Sequence, residues 1–98
     1  MRYIQNGIEF EWDDKKALSN IKKHGISFKE ACDAFFDPFF QTVDATDDEE
    51  DELRDGLIGY SQDGQLLFVV HVEKSDNGYR IISARSAAAN ERKIYEGD

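Results

Sequence analysis

Apolar and polar residues alternate through Ile8-Glu9-Phe10-Glu11-Trp12, the period of two expected of a strand with one buried face. The spacing then lengthens. Asp13 is a helix-capping residue, and Ala17, Leu18 and Ile21 fall on one stripe of the helix it would open. Gly25 suits the left-handed position that closes such a helix. Ser27-Phe28-Lys29-Glu30 fits a capping box, so a second helix starts at once. Its apolar residues are Phe28, Ala31, Cys32, Phe35 and Phe36, which share one helical face. Asp37-Pro38 stops it, because the residue before proline is pushed out of the helical region.

Strand-like periods follow. Residues 39–43 form a short aromatic strand. Residues 57–61 and 66–73 flank Gln62-Asp63-Gly64-Gln65, whose Asp-Gly pair signals a hairpin. Residues 66–72 are apolar on both faces apart from His71, which makes this the central strand. Ser75-Asp76-Asn77-Gly78 is the next turn, residues 79–85 the last strand, and residues 87–96 a closing helix. Strict alternation along that last strand puts Arg85 on one face with Tyr79, Ile81 and Ser83, and Arg80 on the other with Ile82 and Ala84. The order predicts an α+β domain: an antiparallel sheet of about four strands, two N-terminal helices and a C-terminal helix.

At 98 residues the chain reads as a single domain, 1–98. Cys32 is the only cysteine, so no intrachain disulfide and no paired-cysteine metal site can form. The N-terminus lacks an apolar signal core, and the longest apolar run, five residues, is far too short to span a bilayer. These features predict a soluble, cytoplasmic protein without a membrane partner.

The net charge of −9 argues against nucleic-acid binding at first sight. Its distribution changes that. Residues 44–55 hold eight acids and one base, Arg54, and so carry −7 of the total. The rest is nearly balanced. The acidic segment reads as a solvated connection; its functional alternatives are a docking strip for a basic partner or a guard that competes with nucleic acid.

Candidate chemistry concentrates in Lys22-Lys23-His24-Gly25-Ile26-Ser27-Phe28. There a cationic helix end, a titratable imidazole and a new helix cap meet at one corner, where a phosphate or carboxylate can dock. The bland alternative is a set of solvated charges favoured by the helix dipole. Arg80 and Arg85 add two guanidinium groups on a strand, suited to bidentate phosphate contacts. Arg54 either joins them or pairs locally with Glu50 or Asp51. His71 is a hydrogen-bonded core residue or, if it faces a cleft, a proton-transfer group. Cys32 reads as a small core hydrophobe. Glu11, Asp13 and Glu91 are possible general bases, equally explained by capping and helix pairing. The sequence carries no glycine-rich phosphate loop, nucleophile elbow or histidine–cysteine metal spacing.

Read in order, Phe10-Glu11-Trp12-Asp13, Lys16, Asn20, Lys23-His24-Gly25, Ser27-Phe28, Glu30-Ala31, Phe36-Asp37-Pro38, Arg54, Ile58-Gly59, Arg80-Ile81-Ile82-Ser83-Ala84-Arg85, Glu91-Arg92 and Tyr95 resemble the BrnT family. These are toxins of type II toxin–antitoxin systems. The resemblance runs nearly end to end. It implies a RelE-like fold and a metal-independent endoribonuclease, without cofactor, that inhibits growth. It also implies a BrnA-type ribbon-helix-helix antitoxin as partner, with DNA bound only through that antitoxin. Carried onto this chain, the chemistry assigns Lys23, Arg54 and Arg85 to phosphate stabilisation and His24 or His71 to proton transfer. Lys22, Arg80 and Arg92 would hold RNA, and Tyr79 or Trp12 would stack a base. The alternative is a catalytically weak or inactive antitoxin-binding module acting in operon autoregulation. It rests on Ser86-Ala87-Ala88-Ala89, where many members carry arginines, and on the acidic segment.

Overall fold

Asn6 and Gly7 both adopt left-handed backbone conformations, φ 51° and 81°. This is the turn that matches the natural twist of a hairpin. It folds β1 (Arg2–Gln5) back on β2 (Ile8–Glu11), with Gln5 opposite Ile8. The computed structural model describes residues 1–46, 52–75 and 77–97. Beyond the hairpin come α1 (Asp14–His24), α2 (Phe28–Asp33) and a 3-10 turn over Ala34–Phe36. The strands β3 (Gln41–Asp44), β4 (Asp55–Tyr60), β5 (Leu66–Ser75) and β6 (Gly78–Ser86) follow, and then α3 (Ala89–Glu96). The six strands form one sheet in the order β1-β2-β6-β5-β4-β3. Only β2 and β6 are parallel; every other neighbouring pair is antiparallel.

The α+β class holds, but the expected wholly antiparallel sheet of about four strands is corrected to a mixed sheet of six. β1, Arg2-Tyr3-Ile4-Gln5, is a four-residue edge strand without apolar–polar alternation, so it carries no strand signature. The β2–β6 pairing joins residues about 70 positions apart, which local periodicity cannot see. The strand expected at 39–43 begins at Gln41, leaving Phe39 and Phe40 exposed. β5 is interior, as its two-sided apolar pattern required.

The helix boundaries follow local chemistry. The Asp13 carboxylate accepts from the backbone N–H groups of Lys15 and Lys16, and Gly25 closes α1 at φ 72°. Ser27 and Glu30 complete the capping box of α2. Phe28, Ala31, Cys32 and Phe35 enter the main core against Phe10, Leu57, Leu67, Val69, Ile81 and Ala84. Gly59 lets the 3-10 turn approach β4: a Cβ there would lie 2.7 Å from the Ala34 carbonyl oxygen.

α1 departs from its expected stripe. Leu18 and Ile21 are 63% and 46% exposed, and the buried residue of the helix is Asn20. The reason is a sheet edge. β2 covers β6 only over Gly78–Arg80, so β6 beyond that point has no strand on this side. Asn20 takes the missing strand's place. Its Nδ2 donates to Ala84 O (2.8 Å) and Ile26 O (2.9 Å), and its Oδ1 accepts from Ala84 N (3.1 Å). Three buried hydrogen bonds outweigh the burial of one leucine edge.

Asn20→Ala orphans both backbone groups of Ala84 and is expected to cost about 2–4 kcal/mol. Denaturant unfolding measures this; a loss below about 1 kcal/mol would mean the edge is satisfied some other way.

Candidate functional site

The pairing of β5 with β6 contains the main surprise. Val70 lies opposite Ser83 and His71 opposite Ile81, so Ile82 is an unopposed extra residue, a β-bulge. Past it, every side chain of β6 changes face relative to simple alternation. Arg80, Ser83 and Arg85 oppose Val72, Val70 and Phe68, alternate residues of β5, and so share a face. Tyr79, Ile81 and Ala84 share the other, which carries the helices α1 and α2. The expected separation of Arg80 from Arg85 is therefore corrected: the bulge puts both guanidinium groups on the face away from those helices.

At the open edge of β6, Lys16, Ser19, Asn20, Lys23 and His24 of α1 meet Ile82 and Ser83 around a recess of about 160 Å³. Lys23 and His24 thus adjoin the bulge, while Lys22 is exposed in the same last turn. Ser83 belongs both to this recess and to the face of Arg80 and Arg85.

Arg85 is held in place. Its Nη1 and Nη2 donate to the two carboxylate oxygens of Glu91, each at 2.8 Å, and Nη1 also donates to Ser86 O. The guanidinium lies 4.6 Å from the Phe68 ring centre. A guanidinium has five N–H donors, so one edge, made of Nε and Nη2, remains to bind an anion. Glu91 also accepts from Ala88 N at the start of α3 (2.8 Å). The hydrogen bond from Arg85 holds the Glu91 carboxyl below its usual range and raises the guanidinium. Arg80 donates to both oxygens of Glu52. Glu11 pairs with Lys74, and that hydrogen bond lowers its pKa. Asp13 and Glu91 thus cap helices, and Glu11 sits in an ion pair.

The other expected residues lie elsewhere. Arg92 contacts the Tyr60 hydroxyl (3.4 Å). Arg54 is half-buried, its backbone N–H bound to Thr46 Oγ1. Its expected partners Glu50 and Asp51, with the rest of residues 47–51, fall outside the described residues. Trp12 is core. Asp37 accepts from Tyr95 Oη (2.7 Å) and the N–H groups of Phe39 and Tyr60 (2.9 Å each), which gives Asp37 and Tyr95 structural roles. Burial pushes the Cys32 thiol up to about 12, in keeping with a core hydrophobe. Among the described residues no cluster of three metal-ligating side chains occurs, and no helix is long and apolar enough to cross a membrane.

His71 does not meet His24. It is 3% exposed beneath Phe35 and Tyr79, with ring centres 4.8 and 5.4 Å away, on the helix-bearing side of the sheet. A two-histidine acid–base pair is not formed. Burial is the main influence on His71 and lowers its pKa, against smaller opposing effects of the Val69 carbonyl, Asp55 and Glu73. A lowered folded-state pKa makes protonation oppose folding. Stability is then full above the unfolded value near 6.5 and falls as pH drops towards the lower folded value. Unfolding between pH 7 and 5 should show this loss, and His71→Gln should flatten the slope; an equal slope in both proteins would assign it to other groups.

Residues 12–91 match the family model described as "Ribonuclease toxin, BrnT, of type II toxin-antitoxin system". The match begins at Trp12 and ends at Glu91, and so contains α1, the β6 bulge and the Arg85–Glu91 pair. The fold is similar to the crystal structure of the Brucella abortus ribonuclease toxin BrnT, with a TM-score of 0.61 and 23% identity. That alignment covers 81% of this chain and 95% of the Brucella chain. A search of the curated proteins found no match. The chain belongs to the BrnT family of ribonuclease toxins of type II toxin–antitoxin systems.

Proposed function

We propose that this chain is a metal-independent endoribonuclease whose scissile phosphate docks between the end of α1 and the arginine face of β6. The observation that carries the proposal is the bulge at Ile82. It brings Arg80, Ser83 and Arg85 onto one face, and Ser83 also lines the recess of Lys23 and His24. In the reaction the ribose 2′-oxygen attacks its own phosphorus and the bond from phosphorus to the 5′-oxygen breaks. The products are a 2′,3′-cyclic phosphate and a 5′-hydroxyl. The 2′-hydroxyl must lose a proton and the leaving oxygen gain one, a role we assign to His24. Lys23 and the free edge of Arg85 offset charge on the crowded phosphate. Arg80 and Lys22 hold the flanking backbone. Arg54 and Arg92 are assigned to longer stretches of RNA, and His71 to the core.

In the same reading the fold is RelE-like, supported by the antiparallel run β3 to β6 behind two N-terminal helices. The protein works in the cytoplasm, where its RNA is. Its partner is a BrnA-type ribbon-helix-helix antitoxin, which neutralises it and carries the complex to DNA. Family membership supports an antitoxin partner in general terms; its identity is part of the proposal.

One observation favours the second reading, a catalytically weak or inactive module that binds the antitoxin. Arg85 and Arg80 are both engaged by carboxylates, Glu91 and Glu52, which compete with phosphate.

Ribosome-free RNA in EDTA at low salt separates the two. His24 is exposed, so His24→Ala should keep its unfolding midpoint while cleavage falls about 100-fold. Arg85→Ala should lose a further factor, about 100–1,000-fold against wild type. Arg85→Lys, which keeps one charge, should recover part of it. Wild-type protein that leaves RNA intact at every concentration, while binding an antitoxin tightly, would establish the module instead. Undiminished cleavage by His24→Ala would remove His24 from the proton-transfer role.

A further inference from the structure

Phe68 lies opposite Arg85 on β6 and opposite Ile58 on β4. Its ring is half-buried, and it lies on the face away from α1 and α2, outside the main core. The ring reaches Gly56, two residues along β4 from Ile58, on the diagonal that an aromatic side chain can span. A Cβ built at Gly56 would lie 2.5 Å from Phe68 Cε1, closer still to Cζ, and 3.2 Å from Val43 Cγ2. The ring therefore occupies the place where any other residue at 56 would put its first side-chain carbon. Gly56 is not among the glycines with a left-handed φ, so the backbone does not call for glycine here. The close approach of the ring does.

The same ring carries Arg85, whose guanidinium carbon is 4.6 Å from the ring centre. Its two supports fix different freedoms. The paired hydrogen bonds to Glu91 run in the guanidinium plane and fix which edge faces the carboxylate. They leave the two groups free to roll together about the line that joins them. Contact with a ring face removes that roll. The direction in which the Nε and Nη2 edge points thus depends on how the ring stands on the sheet, and residue 56 decides how it stands.

We infer that Gly56 and Phe68 are positioning residues for Arg85: the bare backbone at 56 lets the ring lie down on the sheet, and the ring sets the tilt of the guanidinium towards the phosphate. The effect on cleavage rests on the ribonuclease reading; the effect on Arg85 itself can be measured without RNA.

The test pairs NMR of the labelled full chain with cleavage of ribosome-free RNA in EDTA. The Arg85 Nε–H proton, identified by its loss in Arg85→Lys, should resonate upfield of exposed arginines because the guanidinium lies over a ring. Gly56→Ala should move it towards the exposed position and slow cleavage about 10–100-fold, chiefly in kcat. Phe68→Leu, which removes the ring, should do the same. With the ring gone, residue 56 has nothing to lift, so adding Gly56→Ala to Phe68→Leu should cost less than about twofold. A general weakening of the fold would multiply the two losses instead. If wild type cleaves, the positioning role is overturned by an unmoved Arg85 resonance in Gly56→Ala, by wild-type cleavage in that variant, or by multiplied losses in the double variant. The ribonuclease reading survives each of these. Should Gly56→Ala not fold, Phe68→Leu decides alone, and an unmoved resonance or unchanged cleavage overturns the inference. Wild-type protein that cleaves no RNA overturns the reading and, with it, the catalytic consequence of the tilt.

Discussion

The amide of Asn20 is the contact on which the arrangement at β6 depends. A strand edge that ends inside a domain must satisfy its N–H and C=O groups, and β2 is too short to do so beyond Arg80. Asn20 binds both backbone groups of Ala84 and also the Ile26 carbonyl that leads into α2. One side chain therefore fixes the roll of α1, its height along β6 and the corner between the two helices. The roll turns Leu18 and Ile21 outward and brings Lys16, Lys23 and His24 beside the bulge. An apolar residue at position 20 could fill the volume but could not choose that orientation, because packing is not directional and an amide is.

The bulge at Ile82 does on the strand what Asn20 does on the helix. Without the extra residue, Arg80 and Arg85 would occupy opposite faces. With it, they share one, and Ser83 lies between them. Each guanidinium has its own carboxylate, Arg85 with Glu91 and Arg80 with Glu52. The pairs differ in kind. Glu91 has a side chain only 10% exposed and two roles, receiving Arg85 and the Ala88 N–H of α3, so it ties the orientation of Arg85 to the last helix. Glu52 is far more exposed and contacts Arg80 alone in the described structure, so the pair resembles the surface ion pairs that contribute little. A phosphate can displace the second far more readily than the first, and it can meet the first through the edge that Glu91 leaves open.

What the sequence made legible was local. Asp13, Gly25, Ser27 with Glu30, Asp37-Pro38 and the Asp63-Gly64 turn act on backbone groups within a few residues, and each holds as read. The core face of α2 and the interior place of β5 were visible because both are strongly apolar. The misses share a cause: each is decided by contacts distant in sequence. β1 and the parallel β2–β6 pairing need a partner far along the chain. The outward turn of Leu18 reflects an amide meeting Ala84, 64 positions on. A bulge carries no composition signal in Arg80-Ile81-Ile82-Ser83-Ala84-Arg85, so alternation sent the two arginines apart. For the same reason the candidate residues were found as types, while their grouping was not: Lys23 and His24 adjoin Ser83, whereas His71, Arg54 and Arg92 lie elsewhere. Asn20 and Glu91 sit among the residues of the family resemblance, yet nothing in their spacing marked one as an edge clamp and the other as the anchor of Arg85.

A single sheet thus keeps two opposite electrostatic environments apart. The arginine face and the end of α1 carry donors, while Asp55 and Glu73 line the recess under Phe35. The apolar side chains of β5 lie between them, alternating Phe68 and Val70 on one side with Val69 and His71 on the other. In the proposed function, that separation lets a chain of net charge −9 meet a phosphate. The acids at 44–55 set most of the total, and one of them, Glu52, pairs with Arg80; screening limits the reach of an exposed charge to roughly 8–10 Å at physiological salt. What an approaching phosphate meets at close range is set by the few side chains that the bulge and Asn20 have gathered there.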